Sequence, residues 1–329
     1  MLEPLISAAV RGGGVPAAVA IAGLGSSVLE TVSAGCPAGT VFDLASLTKV
    51  VATTTVTLAL GISLDDDVHR YIPASRWQGV TVRHLLTHTS GLPATRDLCQ
   101  CGADQGQLLT ELYSTPLCAP PGTQVTYSDL GFIALGEIVT VVAGQPLDAA
   151  VRRLVLGPLG MTAAGFMPAD VPGFDVSRFA PTAEPGTGLP RPGVVHDENA
   201  RLLGGVAGHA GLFATAADLA RFARWWVSAA DGPVPRAVRR MCATRQSTGL
   251  GGCRGLGWAC PGDRYDILGG CWPATSVSHT GFTGTSLAVD PASGLWVVLL
   301  TNSVHFGRDA SAVKALRRDV HRAAASYLS

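Results

Sequence analysis

The chain has 329 residues, 47% of them hydrophobic and 15% charged, with 24 basic against 24 acidic side chains and so no formal net charge at pH 7. Such a composition closes a large core and excludes a disordered chain, and its neutral balance lacks the basic stripe that a nucleic-acid backbone or an anionic membrane surface attracts. The length exceeds an average domain and suits one catalytic unit built from two lobes with a single site between them.

In chain order, Met1-Leu2-Glu3-Pro4 offers no positive stretch ahead of an apolar run and cleavage site, which predicts a cytoplasmic protein. Periodicity predicts a helix over residues 2–12, then strands Val15 to Gly23 and Ser27 to Ala34 joined by a Gly-Ser turn. Thr40 to Leu44 is a short apolar approach to a helix from Leu47 to Leu60. Residues 50–64 carry no charge, but they fall short of the roughly 20 residues a membrane span needs, so a buried core helix is expected. Helical patterns follow at Val82 to His88, Leu108 to Tyr113, Asp129 to Ala143 and Leu147 to Leu156, separated by Pro and Gly loops. Residues 171–195 lack periodicity and read as a long loop. Ser276 to Val289, a turn at Asp290-Pro291-Ala292-Ser293-Gly294, and Leu295 to Thr301 read as an antiparallel hairpin ahead of a C-terminal helix from Ala310 to Tyr327. The pattern gives an α+β lobe from residues 1–64 and 206–329 and a helical lobe from 65–205, all within one catalytic domain.

Chemistry concentrates at Ser46-Leu47-Thr48-Lys49. Three residues apart on a helix, both side chains lie on one face, and the Lys49 nitrogen reaches the Ser46 hydroxyl. A serine hydroxyl is a weak nucleophile until a neighbour takes its proton, and burial is expected to lower the lysine pKa toward that task. The helix N-terminus adds backbone N–H groups for a developing oxyanion. Only two of the 24 basic residues are lysines, Lys49 and Lys314; Lys can lose its proton where a guanidinium cannot. The S-x-x-K pattern also describes a capping serine with a surface lysine, but a lysine one turn into an uncharged helix is poorly placed for the surface.

Other polar residues have plainer readings. His84 and His88 are spaced like metal ligands, yet Leu85 stands where a zinc peptidase has its glutamate, so both are expected to pack or cap. Cys99-x-Cys101 has no second cysteine pair at ligand spacing; no metal or cofactor is expected, and the eight cysteines are expected as thiols. His196 and His209 flank the Gly-rich run GGVAGHAG and are candidates to line the pocket; the run is no phosphate loop, since no G-K-[ST] follows.

The stretch FDLASLTKVVATT resembles the nucleophile segment of class C β-lactamases, D-alanyl-D-alanine carboxypeptidases and related esterases. Tyr127-Ser128-Asp129 is similar to that superfamily's Y-x-N element and His279-Thr280-Gly281 to its K-T-G element, in the same order. TVRHLLTHTSGLP from Thr81 and HDENARLLGGVAGHAGLF from His196 also resemble segments of its esterase-like members. The resemblance implies a β-lactamase/transpeptidase-like α+β fold, an antiparallel sheet flanked by helices plus a helical lobe. It implies Ser46 as nucleophile, Tyr127 as proton carrier with its phenol pKa lowered by Lys49, and an oxyanion hole from the N–H groups of Ser46 and Phe282. Two departures weaken recognition of β-lactams and D-alanyl-D-alanine: His279 lacks the lysine's permanent charge, and Asp129 exchanges an amide donor for a carboxylate suited to pair with Lys49 or a substrate amine.

Three readings follow. One is an esterase or amidase in which water attacks acyl-Ser46, acting on a small cytoplasmic acyl donor. Another is a transacylase passing the acyl group to an amine or alcohol, as superfamily members do in natural-product (antibiotic) biosynthesis. The third is a sensor that stays acylated, disfavoured because no membrane span carries a signal. Neither nucleic acid nor membrane is expected as partner.

Overall fold

The computed structural model describes residues 1–96, 98, 104–166, 175–183 and 191–328. The hairpin of β1 (Ala18–Leu24) and β2 (Ser27–Ala34) turns at Gly25, whose φ of +56° suits a residue without Cβ. On the far side of β1 lies β8 (Leu295–Thr301), buried throughout, and then β7 (Ser286–Val289) and β6 (Val277–Thr280). The five strands run antiparallel in the order β2-β1-β8-β7-β6, so the two chain ends build one sheet.

The arm read from sequence as one strand, Ser276 to Val289, is two. The Gly281 N–H bonds to Thr285 O at 2.8 Å and Gly284 takes φ +117°, closing a tight turn that folds β6 back on β7. Gly281 and Gly284, just ahead of the second apolar run, carried that signal.

Amphipathic α1 (Leu2–Arg11) and α10 (Ser311–Ala325) cover one sheet face; Leu2, Ile6, Val313 and Val320 are buried there against Val297 and Leu299. The other face meets α8 (Ala216–Val227) and the larger core. Within that core lies α2 (Lys49–Ala59), whose first turns are wound with π geometry and whose residues through Thr57 are all buried. A small sheet of β3 (Val41–Asp43), β5 (Leu212–Thr215) and β4 (Gly165–Phe166), in the order β3-β5-β4, carries the chain into α2.

Residues 65–205 hold α3 (Val82–Leu86), α4 (Gln105–Ser114), α5 (Asp129–Ala143), α6 (Leu147–Leu156) and α7 (Glu198–Leu202), together with β4; α9 (Arg236–Ala243) follows α8. Among the described residues no single helix is long and apolar enough to cross a membrane; the apolar pair α5 and α6, bent by 75°, packs into the core. The Cys99-x-Cys101 pair and much of the 171–195 loop lie outside the described residues.

Candidate active site

Ser46 sits in the turn between β3 and α2, and that turn is strained. Ala45 takes φ +46°, a left-handed conformation that costs an L-residue on the order of 1–2 kcal/mol. Hydrogen bonds hold it there. Asp43 accepts the Ala45 N–H at 2.8 Å and the His196 N–H at 2.7 Å. From the β6–β7 turn, Thr283 donates to Asp43 O at 2.7 Å and Thr285 to Leu44 O at 3.0 Å. A Cβ on Gly281 would stand 2.1 Å from Thr285 Oγ1 and 2.4 Å from Leu44 O, so only glycine lets β6 approach this closely. Arg317, on α10, donates to Gly281 O and to Thr285 O (2.8 Å) and fixes the same turn from behind.

Rather than capping the helix, the Ser46 side chain turns to Lys49, whose Nζ donates to Ser46 Oγ at 2.9 Å. Lys49 is 0% exposed. Its other partners are His209 O at 3.0 Å and Asp129 Oδ1 at 2.7 Å. Ringed by the oxygens of Ser46, His209, Tyr127 and the carboxylate of Asp129, the nitrogen has the surroundings of a cation. Burial acts to lower the Lys49 pKa, but Asp129, with Tyr127, outweighs it and the net direction is upward. The expectation of a lowered lysine pKa is therefore corrected: an anion in contact prevails over desolvation.

Tyr127, Ser128 and Asp129 are positioned by the start of α5. Ser128 caps the helix, accepting from the Gly131 N–H at 3.3 Å while donating to Pro93 O at 2.7 Å. Asp129 occupies the first turn, where the helix dipole favours an anion. The Ser128 N–H donates to His88 Nδ1 at 3.0 Å, so His88 carries its proton on Nε2; its ring packs tilted by 34° against Tyr127 with centroids 4.5 Å apart. His84 accepts the Thr81 N–H at 3.2 Å and completes a capping box on α3. The Tyr127 hydroxyl bonds the side chains of Ser46 and Lys49. Burial raises the Tyr127 pKa; Lys49 pulls it down and Asp129 pushes it up, and the net is a rise. This corrects the expected lowering: burial outweighs the pull of Lys49, and Asp129 adds to the rise.

His279 and Thr280 end β6. His279 is buried, donates from Nδ1 to Thr280 O at 2.9 Å, and lies 6.1 Å from Tyr127 between ring centroids. Burial and the cations of Lys49 and Arg254 hold its pKa well down, so it is a neutral imidazole at the place of the lysine in the K-T-G element it resembles. Phe282 follows Gly281 at the mouth, its exposed ring 6.0 Å from His196. Among the described residues, neither the Ser46 nor the Phe282 N–H is taken by another backbone group. His196 thus reaches the rim, whereas the buried His209 ring bonds Asp197 Oδ1 at 2.8 Å and only its carbonyl meets Lys49. Asp43, Thr283, Thr285 and Arg317 were not singled out from sequence. For Asp43 a signal existed, a carboxylate inside the apolar run VFDLA; for Arg317 there was none.

The β-lactamase family model matches residues 2–322. The chain belongs to the beta-lactamase family. A protein of Escherichia coli (strain K12) named putative D-alanyl-D-alanine carboxypeptidase is 32% identical over 321 residues, covering 85% of this chain and 73% of the relative. Among solved structures, EstCE1, described as a hydrolase with promiscuous acyltransferase activity, matches with TM-score 0.77, 23% identity and 98% and 97% coverage of the two chains. Simvastatin synthase (LovD) of Aspergillus terreus matches with TM-score 0.79, 20% identity and 99% and 97% coverage. The β-lactamase/transpeptidase-like fold is thereby shown, and the chain is an enzyme of the serine β-lactamase and penicillin-binding-protein superfamily.

Proposed function

We propose that this β-lactamase-family enzyme hydrolyses a small ester or amide without a carboxylate beside the scissile bond, through an acyl-Ser46 intermediate. The carrying observation is the set Ser46, Lys49, Tyr127 and Asp129 joined to a neutral His279. The Lys49 ammonium already donates to Ser46 Oγ, so the Ser46 hydroxyl hydrogen points to another acceptor, and the Tyr127 oxygen is bonded to it. In the reactive form Tyr127 is ionised, takes that proton as Ser46 attacks the acyl carbon, and returns it to the leaving group. The Ser46 and Phe282 N–H groups hold the oxyanion. Water then attacks the acyl-enzyme by the reverse path.

With Lys49 committed to Asp129 and His279 uncharged, neither of these two residues offers a free cation to a substrate carboxylate, which supports the ester over a β-lactam or a C-terminal D-alanine. The name of the E. coli relative supports a second reading, D-alanyl-D-alanine carboxypeptidase, and the promiscuous acyltransferase activity ascribed to EstCE1 supports transfer to an alcohol or amine in place of water. A fluorophosphonate probe and p-nitrophenyl esters, nitrocefin and a D-alanyl-D-alanine peptide, each with and without millimolar amine, separate these readings by intact mass and product. The expected result is a Ser46 adduct, absent in Ser46→Ala, with ester turnover and no peptide cleavage. Peptide cleavage above ester turnover would favour the second reading, and no adduct on wild type would remove both.

A further inference from the structure

Arg254 is among the largest fully buried side chains, 1% exposed, and sequence reasoning passed over it. It stands on a narrow hairpin in which Arg254 pairs with Ala259 and Ala259 pairs with Ser278 of β6, placing it one step from His279. Gly257 anchors the hairpin on α2: its Cβ would lie 2.3 Å from Thr54 Oγ1. The guanidinium sits 5.4 Å from the Tyr127 ring centroid and 5.2 Å from that of Tyr265, and its Nη2 is 3.1 Å from Asp263 Oδ1. Neither its Nε nor its Nη2 has a hydrogen-bond partner among the described residues. A buried arginine with unmet donors is costly, and beyond its ion pair with Asp263 its charge bears on one neighbour in the site.

The neighbour is Tyr127. Facing it are Ser46 from the turn after β3, Lys49 from α2, Asp129 from α5, the neutral rings of His88 and His279, and Tyr265 with the Arg254–Asp263 pair. Two cations and two anions thus share this small volume. Without Arg254, two carboxylates would oppose the single ammonium of Lys49. The Y-x-N element that Tyr127-Ser128-Asp129 resembles has an asparagine at this place, so relative to that pattern this chain carries one anion more beside its tyrosine.

We propose that Arg254 is a positioning residue whose cation, held against the Tyr127 ring, offsets the charge of Asp129 and lets Tyr127 take the Ser46 proton. This rests on the acyl-enzyme reading. Both cations also oppose protonation of His88 and His279, keeping the surroundings of Tyr127 free of further titration.

The test is the pH dependence of p-nitrophenyl ester turnover for wild type, Arg254→Gln, Arg254→Lys and Arg254→Gln combined with Asp129→Asn, each checked for folding by urea titration. Arg254→Gln is expected to lower kcat about tenfold at pH 7 with KM nearly unchanged, and to move the midpoint of kcat/KM upward by about one unit, a one-unit shift being tenfold. Arg254→Lys restores the midpoint, and Asp129→Asn brings it back down in the Arg254→Gln background. A folded Arg254→Gln enzyme with the wild-type midpoint overturns the proposal, whatever its rate. Should Arg254→Gln fail to fold, Asp263→Asn reads the same field with opposite sign: a downward shift is expected, and no shift overturns it. Wild-type turnover with unshifted variants defeats this inference alone, while a wild type that forms no adduct defeats the acyl-enzyme reading with it.

Discussion

The Lys49 ammonium stands 2.7 Å from the carboxylate of Asp129, and this pair sets the charge state of the whole site. The carboxylate holds Lys49 as a cation and works against ionisation of Tyr127, which the ammonium favours. Removing a partner from a fully buried pair costs roughly 3–5 kcal/mol; the Asp129 side chain is still 24% exposed, so Asp129→Asn is expected to lose on the order of 2 kcal/mol. The same change removes an anion beside Tyr127, and the pH midpoint of kcat/KM should move down. Urea unfolding and a pH–rate profile measure the two effects, and an upward midpoint shift would contradict the charge assignment.

Tyr127→Phe separates the hydroxyl from the ring. The ring packs, tilted, against His88 at 4.5 Å and Tyr265 at 5.1 Å, contacts that phenylalanine keeps. Stability should change little, while kcat/KM for an ester falls at least about a hundredfold, the usual scale for a group that moves a proton. Steady-state kinetics beside a thermal melt checks this; near-normal turnover by a folded variant would remove Tyr127 from the mechanism.

Gly281→Ala tests the contact between the β6–β7 turn and the turn that carries Ser46. The new methyl would meet backbone at Leu44 O, 2.4 Å away, which cannot rotate aside. β6 must withdraw, taking the Phe282 N–H out of line with Ser46. Loss of one oxyanion donor costs about 10²–10³ in kcat, and overpacking adds about 1–3 kcal/mol of instability. A variant with wild-type kcat would show that the Phe282 N–H does not hold the oxyanion.

The Ser46–Lys49 contact was legible because a three-residue spacing at the start of a helix needs no distant partner, whereas Tyr127 was singled out only by the resemblance of Tyr127-Ser128-Asp129 to a Y-x-N element. Charge states were not legible. Whether burial or pairing wins at Lys49 is decided by Asp129, 80 residues away in sequence and in contact only once α5 packs on α2. Arg254 and Arg317 look from sequence like any other arginine in a chain that prefers arginine, and only the folded sheet brings one to Tyr127 and the other to Gly281. The split of residues 276–289 into two strands was written in Gly281 and Gly284 but hidden by the apolar run around them.

Asp43 carries the last expectation, a change in stability with pH. Its side chain is buried, and burial, opposed by the His196 and Ala45 N–H bonds, pushes its carboxyl from 3.8 up to about 6. Between about pH 4 and pH 6 the folded chain therefore holds a proton that the unfolded chain has released, and stability from this group falls as pH rises through that window. Two units correspond to about 3 kcal/mol, present below pH 4 and lost above pH 6. Asp43→Asn cannot titrate, so its stability relative to wild type should improve by up to that amount between pH 4 and pH 7. At either pH it lacks one acceptor for the two N–H groups that shape the Ser46 turn, so ester turnover should fall while the unfolding curves converge or cross. Urea titrations of both proteins at the two pH values measure this; parallel behaviour would mean that Asp43 is ionised throughout and that its two N–H bonds outweigh its burial.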